Sequence, residues 1–471
     1  MTSVHKTISL LLILPVLLSA CATPAARPAE PPPSADRRVP QNPGKELGRQ
    51  FIIEARTQFR FVKDQEVVDT VNRVGRRLVR AAGGDPDEYH FFVVRDVQPN
   101  AFAIPGGYIF VFDGLLSKLE GEAELAGVLA HEIGHVTHNH FFKDEGKVNA
   151  LTLATIAAIL LSKGSGAAAN IALAANISAQ LQFSRENEEE ADRSAVQYLR
   201  QAGYDPRGLL VFFQRLAEHE KINSTEIPAY LLTHPALNDR LHMVELRLGR
   251  PAARIPAEPP PLTDWGRMEA VIRAKSQTWK DPAQIFPRRP ADVRSEEREH
   301  YLAGLAYLTA DRTAEAIAEY RAAAALAPAN PVYRADLAQA YLKGQDTERA
   351  RGEALESLKR SGPGAEPETA HLVLGMLEEH AGRPEEALRH YKKVIESNPD
   401  HAFAHYHAGQ AYFQTGKTLE GAYHTGRYLR LNLEPEAAFQ EFNRAKELAS
   451  GDSELARKIR EEIDQINRDG I

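Results

Sequence analysis

The chain reads as a mainly α protein with a small β-sheet, in which a mixed N-terminal body is followed by an α-solenoid. Three observations predict this. From residue 297 onward, small and aromatic residues return in a fixed register of about 34 residues. Two apolar β-rich runs, HFFVVRDV (90–97) and NAFAIPGGYIFVFDGLL (100–116), lie far upstream of those repeats. Between the two regions, a helical pattern from Glu122 leads into HEIGHVTHNH (131–140). At 471 residues the chain is too long for one ordinary core, so two or three domains are expected. Its hydrophobic content of 43% and charged content of 26% are those of a globular protein. A net charge of −7, with no basic block beyond short pairs such as Arg37-Arg38, excludes a nucleic-acid partner.

The first element is a secretion signal, residues 1–20. Lys6 precedes the apolar run ISLLLILPVLLSA, too short for a good membrane span. Leu18-Ser19-Ala20-Cys21 resembles the lipobox of bacterial lipoproteins, whose cysteine is lipidated and becomes the new N-terminus. The competing reading is a plain signal that happens to contain a cysteine. Cys21 is the chain's one cysteine, so no intrachain disulfide can form. A metal site here must use histidine and carboxylate, which favours a catalytic over a structural zinc ion. By resemblance to enterobacterial sorting rules, Ala22 after the cysteine implies the outer membrane. Residues 21–44 are Pro-rich and polar, a tether.

The first body spans 45–250. Helical patterns at Gly48–Phe61 and Gln65–Ala82 precede the two β-rich runs, and Gly106-Gly107 marks a tight turn between apolar stretches. Helix resumes near Ser117. His131 and His135, four apart, share one helix face and can grip one ion. Glu132 is placed to accept a proton from an attacking water without ligating. In the longer pattern HExxHxxGxxH the next positions require glycine and histidine. Here they hold His138 and Phe141, so that reading fails, and His138 and His140 read as supporting or surface residues.

HExxH needs a third ligand. FSRENEEEADRSAVQYL (183–199) offers Glu188 and Asp192 one turn apart: Glu188 can ligate, and Asp192 can hold the tautomer of a ligand histidine. An acidic solvated face is the bland alternative, though Ala191 and Val196 give the helix a packed side. Glu189 and Glu190 remain open as ligands. In THPALNDR (233–240), His234 stands before proline and can point into a cleft, but spacing alone does not select it.

A second Pro-rich stretch, 251–296, is a linker containing Trp265 and a short helix at Arg267–Lys275. Beyond it, 297–450 holds about four tetratricopeptide units. Gly304, Tyr307, Ala316, Tyr320, Ala323 and Pro328 fall in register, as do Leu337, Ala338, Tyr341 and Ala350. Leu374, Gly375, Ala387, Tyr391 and Pro399 follow, then Gly409 and Tyr412 with a weaker second helix. Residues 451–471 form a capping helix, with Leu455, Ile459, Ile463 and Ile466 on one face.

HEIGH, EEEAD and THPALNDR, in this order, resemble the gluzincin metalloproteases that include the HtpX-like and CAAX-prenyl proteases, peptidase family forty-eight. The signal and the repeats are similar to its BepA-like branch of the bacterial envelope. The resemblance implies one zinc ion per chain on His131, His135 and Glu188, with Glu132 as general base. It also implies Asp192 behind a ligand, His234 near the fourth coordination position and Arg240 supporting it. His234 would stabilise an oxyanion or else ligate zinc and hold the enzyme latent. The strand at Asn100–Ile104 would be the edge on which a substrate peptide pairs. Integral-membrane relatives carry spanning helices between HExxH and the third ligand. Here VNALTLATIAAILLS and AAANIALAANISAQL are each about 15 residues, short of the roughly 20 a bilayer needs. They read as packed helices, and Lys163-Gly164-Ser165-Gly166 between them suggests a lid.

Three functions follow. The first is a zinc endopeptidase of the periplasm, lipid-anchored to the outer membrane. Unfolded or misassembled envelope proteins would be its substrates, and the resemblance implies the barrel-assembly machinery as a partner. The second is a chaperone or assembly adaptor with a latent zinc site. The third, a lipid or cell-wall hydrolase, lacks any sequence feature for a sugar or lipid pocket.

Overall fold

In a computed structural model of the chain, the described residues are 43–142, 184–222, 230–231, 234–249, 265–276, 296–362, 366–432, 434–451 and 453–469. The signal, Cys21, nearly all of the tether, the paired apolar segments proposed as a lid and most of the 251–296 linker lie outside them. Among the described residues, no helix is long and apolar enough to cross a membrane. Elements are numbered over these residues.

Helices α1 (Pro43–Gln58) and α2 (Gln65–Ala81) lead into strand β1 (His90–Val94). Asp64 caps α2 by accepting a hydrogen bond from the Val67 amide. Val67, Val71, Val74 and Leu78 recur at helical spacing and are buried. Strands β2 (Ala101–Ile104) and β3 (Tyr108–Phe112) form an antiparallel hairpin, and β1 pairs with β3 in parallel, giving the order β1-β3-β2. Gly106 and Gly107 turn the hairpin at φ 91° and 86°. A Cβ on Gly107 would lie 2.2 Å from the Glu88 carbonyl oxygen, so only glycine fits there. Period-two alternation sorts the strands onto two faces. Phe92, Phe102, Phe110 and Phe112 pack with Phe51 of α1 and with Phe59 just past its end. Phe91, Val93, Ala101, Ala103, Ile109 and Val111 join the main core.

After a single turn, α3 (Asp113–Leu116), the chain enters α4 (Glu122–Thr137). This helix starts at Glu122, where the pattern leading into HEIGH begins, and not at Ser117, because Gly121 is extended and breaks the path. Every residue from Glu124 to His135 is buried. Buried on all sides, α4 sits at the centre of the core and packs against α2, β2, α5 (Arg185–Ala202) and α6 (Arg207–Ile222). Helix α7 (Leu237–Leu248) lies against α5 and α6. Helix α8 (Trp265–Ser276) packs on α2, α3 and the first solenoid helix.

The solenoid pairs α9 (Glu296–Thr309) with α10 (Thr313–Leu326) and α11 (Pro331–Lys343) with α12 (Thr347–Arg360). It continues as α13 (Glu368–His380) with α14 (Pro384–Ser397) and α15 (Ala402–Gln414) with α16 (Thr418–Leu431). Gly304 and Gly375 each lie under a tyrosine ring, Tyr320 and Tyr391, at distances that leave no room for a Cβ. A further helix without the repeat signature, α17 (Pro435–Leu448), follows. Its Phe442 joins Ile459, Ile463 and Ile466 of α18 (Glu454–Asp469) to close the stack.

Helix α2 is fastened to the solenoid at two places. Asn398 donates to Asp69 at 2.7 Å, and the Ala402 amide donates to Gln65 at 3.1 Å. Arg267 of α8 bridges Glu66 of α2 to Tyr301 and Asp336 of the first repeats.

Candidate metal centre

His131 and His135 leave α4 on one face, with their Nε2 atoms 2.9 Å apart. Glu188 comes from α5, placing one carboxylate oxygen 3.6 Å from His131 Nε2 and the other 3.5 Å from His135 Nε2. His234 enters from the turn before α7. Its Nδ1 lies 3.3 Å from His131 Nε2 and 3.0 Å from Glu188. All four side chains are buried, and their ligand atoms lie within 4.8 Å of one another. Donors arranged tetrahedrally at 2.0–2.1 Å from one ion are about 3.3 Å apart. The observed separations bracket that value, and two imidazoles, a carboxylate and a third imidazole are the donors a zinc ion takes. The residues fit a resident ion.

Local sequence explains the convergence. A Cβ on Gly134 would meet the Ala191 backbone at 3.1 Å, so α4 and α5 approach closely where HEIGH crosses EEEAD. Ser184 caps α5 through the Asn187 amide, and Gly203 ends it at φ 81°. Ala236, after Pro235, is held at φ 63°, a costly conformation for a non-glycine residue, and the turn so formed carries His234 inward.

Around the donors lies a buried polar frame. Asp192 Oδ1 is 2.9 Å from His131 Nδ1. Arg240 donates twice to Asp192, at 2.8 Å each, and lies 2.7 Å from Glu188. Its guanidinium stacks over Phe213. Burial alone would raise the Glu188 and Asp192 carboxyls. For Glu188 the charges of Arg240, His234 and His131 with the His234 hydrogen bond, and for Asp192 the charges and hydrogen bonds of Arg240 and His131, together outweigh it and hold both below the ordinary range. Burial and the neighbouring imidazoles push His135 far below its usual value, leaving it neutral, the form that ligates. Glu132 is fully buried, and neither of its carboxylate oxygens has a hydrogen-bond partner among the described residues. His234 Nε2 lies 3.4 Å from it.

Seven of the candidates singled out in the sequence therefore meet in one buried cluster: His131, Glu132, His135, Glu188, Asp192, His234 and Arg240. Glu189 is turned outward to Arg247, and Glu190 faces His140, so neither joins the donors. His138 is half-buried on Ser194, whereas His140 is buried against His135. Sequence reasoning missed Tyr230, whose ring stacks on His234 with centroids 4.5 Å apart. The one available signal was its place four residues before His234, a helical spacing kept by a backbone hydrogen bond from His234 to Tyr230.

Residues 66–247 match the model of Peptidase family M48, and 301–366 and 381–416 match models of the tetratricopeptide repeat. The chain is 27% identical over 365 residues to the β-barrel assembly-enhancing protease of Escherichia coli K12, covering 75% of this chain and 74% of that one. It is 36% identical over 188 residues to a Vibrio cholerae relative named for the same role, covering 38% of this chain but only 39% of that one. It is 33% identical over 175 residues to the mitochondrial metalloendopeptidase OMA1 of Schizosaccharomyces pombe, covering 37% of this chain and 51% of that one. The donor set, the family match and these relatives agree: the chain carries a metallopeptidase domain of peptidase family M48, followed by tetratricopeptide repeats.

Proposed function

We propose that the protein is a zinc-dependent endopeptidase of the bacterial cell envelope that acts in quality control or assembly of outer-membrane proteins. The carrying observation is the convergence of His131, His135, Glu188 and His234 beside the buried carboxylate of Glu132. His131, His135 and Glu188 would hold one zinc ion. When bound, the ion polarises a peptide carbonyl and makes water a nucleophile at neutral pH. Glu132 then takes the proton of the attacking water and delivers it to the leaving amine. Asp192 fixes the His131 tautomer, Arg240 holds Asp192 and Glu188 in place, and His234 supports the developing oxyanion. Strand β2 is a sheet edge, and an extended peptide can add to it. Asn100, just before it, is buried with neither amide atom hydrogen-bonded among the described residues, a group that a peptide main chain can satisfy.

The reading extends to the whole chain. Residues 1–20 are the signal, Cys21 carries the lipid anchor, and 21–44 tether the body in the periplasm at the outer membrane. The protease domain (45–250), linker (251–296), repeats (297–450) and capping helix (451–471) follow. The repeats recruit misassembled envelope proteins or the barrel-assembly machinery. The names of the E. coli and V. cholerae relatives support this. In the test, Glu132→Gln keeps its zinc but loses cleavage of an unfolded substrate. Cleavage at the wild-type rate removes Glu132 from the mechanism.

A second reading, an assembly adaptor with a latent site, is favoured by one observation: His234 Nδ1 stands among the donors where an open position is needed. His234→Ala separates the two. A gain in proteolysis marks latency, and a loss marks catalytic support.

A further inference from the structure

We infer that His140 and Glu190 form a positioning arm for His135 that holds this ligand to the metal centre. The inference rests on the metal-site reading above and deepens it.

Helix α4 ends just past His135, with His138 as its cap. Asn139 then adopts φ 53°, the left-handed conformation that asparagine tolerates better than most residues. This reverses the chain, and the buried Phe141 anchors the next turn. The result folds His140 back onto its own helix, with His140 Nδ1 2.9 Å from His135 Nδ1. On its far side, His140 Nε2 lies 3.1 Å from Glu190 Oε2. Glu190 is itself steadied by His138 at 3.4 Å and Arg193 at 3.6 Å, and His138 is bonded to Ser194 at 2.7 Å.

The protons then follow by elimination. His135 turns Nε2 toward the other donors, so as a neutral ligand it carries its proton on Nδ1. That proton is donated to His140 Nδ1, which must accept. His140's own proton is therefore on Nε2 and is donated to the Glu190 carboxylate. One chain of hydrogen bonds, His135 to His140 to Glu190, sets the tautomer and ring orientation of the ligand and raises its basicity.

The two HExxH imidazoles are thus held differently. His131 rests directly on Asp192, which buried Arg240 clamps. His135 is held through an intermediary imidazole by a carboxylate that is 26% exposed. The arm runs from the pocket to the surface, so it can be altered without entering the donor set.

The test is zinc affinity of the full chain, measured by competition with a chromogenic chelator, for wild type, His140→Ala, His140→Asn and Glu190→Gln. Circular dichroism monitors folding. Removing a partner that orients a ligand weakens metal binding about 10- to 100-fold. His140→Ala is expected to lose affinity within that range. Glu190→Gln, which keeps an acceptor but removes the charge, and His140→Asn, whose carbonyl can accept the His135 proton but stops short of Glu190, are both expected to fall between wild type and His140→Ala, an order that a packing role alone would not produce. Should His140→Ala fail to fold, Glu190→Gln at the partly exposed end decides. Wild-type affinity in Glu190→Gln, or His140→Asn as weak as His140→Ala, overturns the arm. A wild-type protein that binds no zinc overturns the metal reading, and the arm with it.

Discussion

Replacing Arg240 by methionine tests the electrostatic frame most directly. Arg240 is buried, meets both oxygens of Asp192 at 2.8 Å and lies 2.7 Å from Glu188. Methionine fills much of the volume over Phe213 but brings no charge. Two carboxylates, each about 1% exposed, then lose their buried cation. Removing one partner of a buried ion pair costs about 3–5 kcal/mol. The metal-free variant is expected to lose stability by that amount at neutral pH. Saturating zinc should restore part of it, because the ion supplies positive charge beside Glu188. The pH dependence has a definite sign. In the wild type both carboxyls titrate below their ordinary range, so they add stability above about pH 4 and lose it as pH falls through their folded values. Without Arg240, burial raises both carboxyls in the folded state, and that stability is absent at neutral pH. The gap between variant and wild type should therefore begin to narrow above about pH 4, as the variant's raised carboxyls take up protons, and go on narrowing until the lowered wild-type carboxyls do the same. The assay is urea denaturation followed by circular dichroism, with and without zinc, at neutral pH and in the acid range. A metal-free variant within about 1 kcal/mol of wild type at neutral pH would refute the account, since it would leave two buried carboxylates at no cost.

Three other outcomes are expected. Gly134→Ala places a Cβ 3.1 Å from the Ala191 backbone and must push α4 from α5 by a few tenths of an ångström, so zinc affinity should fall more than helix content; unchanged affinity would show that the crossing is not tight. Imidazole pairs join the helices of the last two repeats, His371 to His390 at 3.1 Å and His405 to His424 at 2.8 Å, where earlier repeats use His300–Glu319 and Arg334–Glu353. Burial lowers all four pKa values, that of His405 to about 3, so the unfolded chain takes up protons first and stability should drop as pH falls below about 6.5; replacing His371 with Arg and His390 with Glu should flatten this loss in an acid titration monitored by circular dichroism. Arg267→Met leaves Asp336 and Glu66 without their shared cation and should cost about 3–5 kcal/mol, read as faster protease cutting between residues 250 and 296; an unchanged digestion pattern would show that α8 is held by apolar packing alone.

Elements with a strong local period were readable before any coordinates. Gly106-Gly107 could only be a turn between apolar strands, and the 34-residue register located the paired helices through the small residues that lie under Tyr320 and Tyr391. HEIGH announced a pair of imidazoles because four residues make one helical turn. Helix α17 carries no such register. Its place depends on Phe442 meeting Gly426 and the isoleucines of α18, which are contacts between helices rather than within one.

The site divides along the same line. Residue type and spacing established which side chains could bind an ion, and with what chemistry, since those depend on neighbours within one or two turns. His234 had no such neighbours, and Glu190 belonged to an acidic run that solvent explains equally well. Their positions came from the close approach of α4 and α5 at Gly134, the left-handed residues Asn139 and Ala236, and the buried charge of Arg240. Each of these acts between segments far apart in the chain, where local periodicity holds no information.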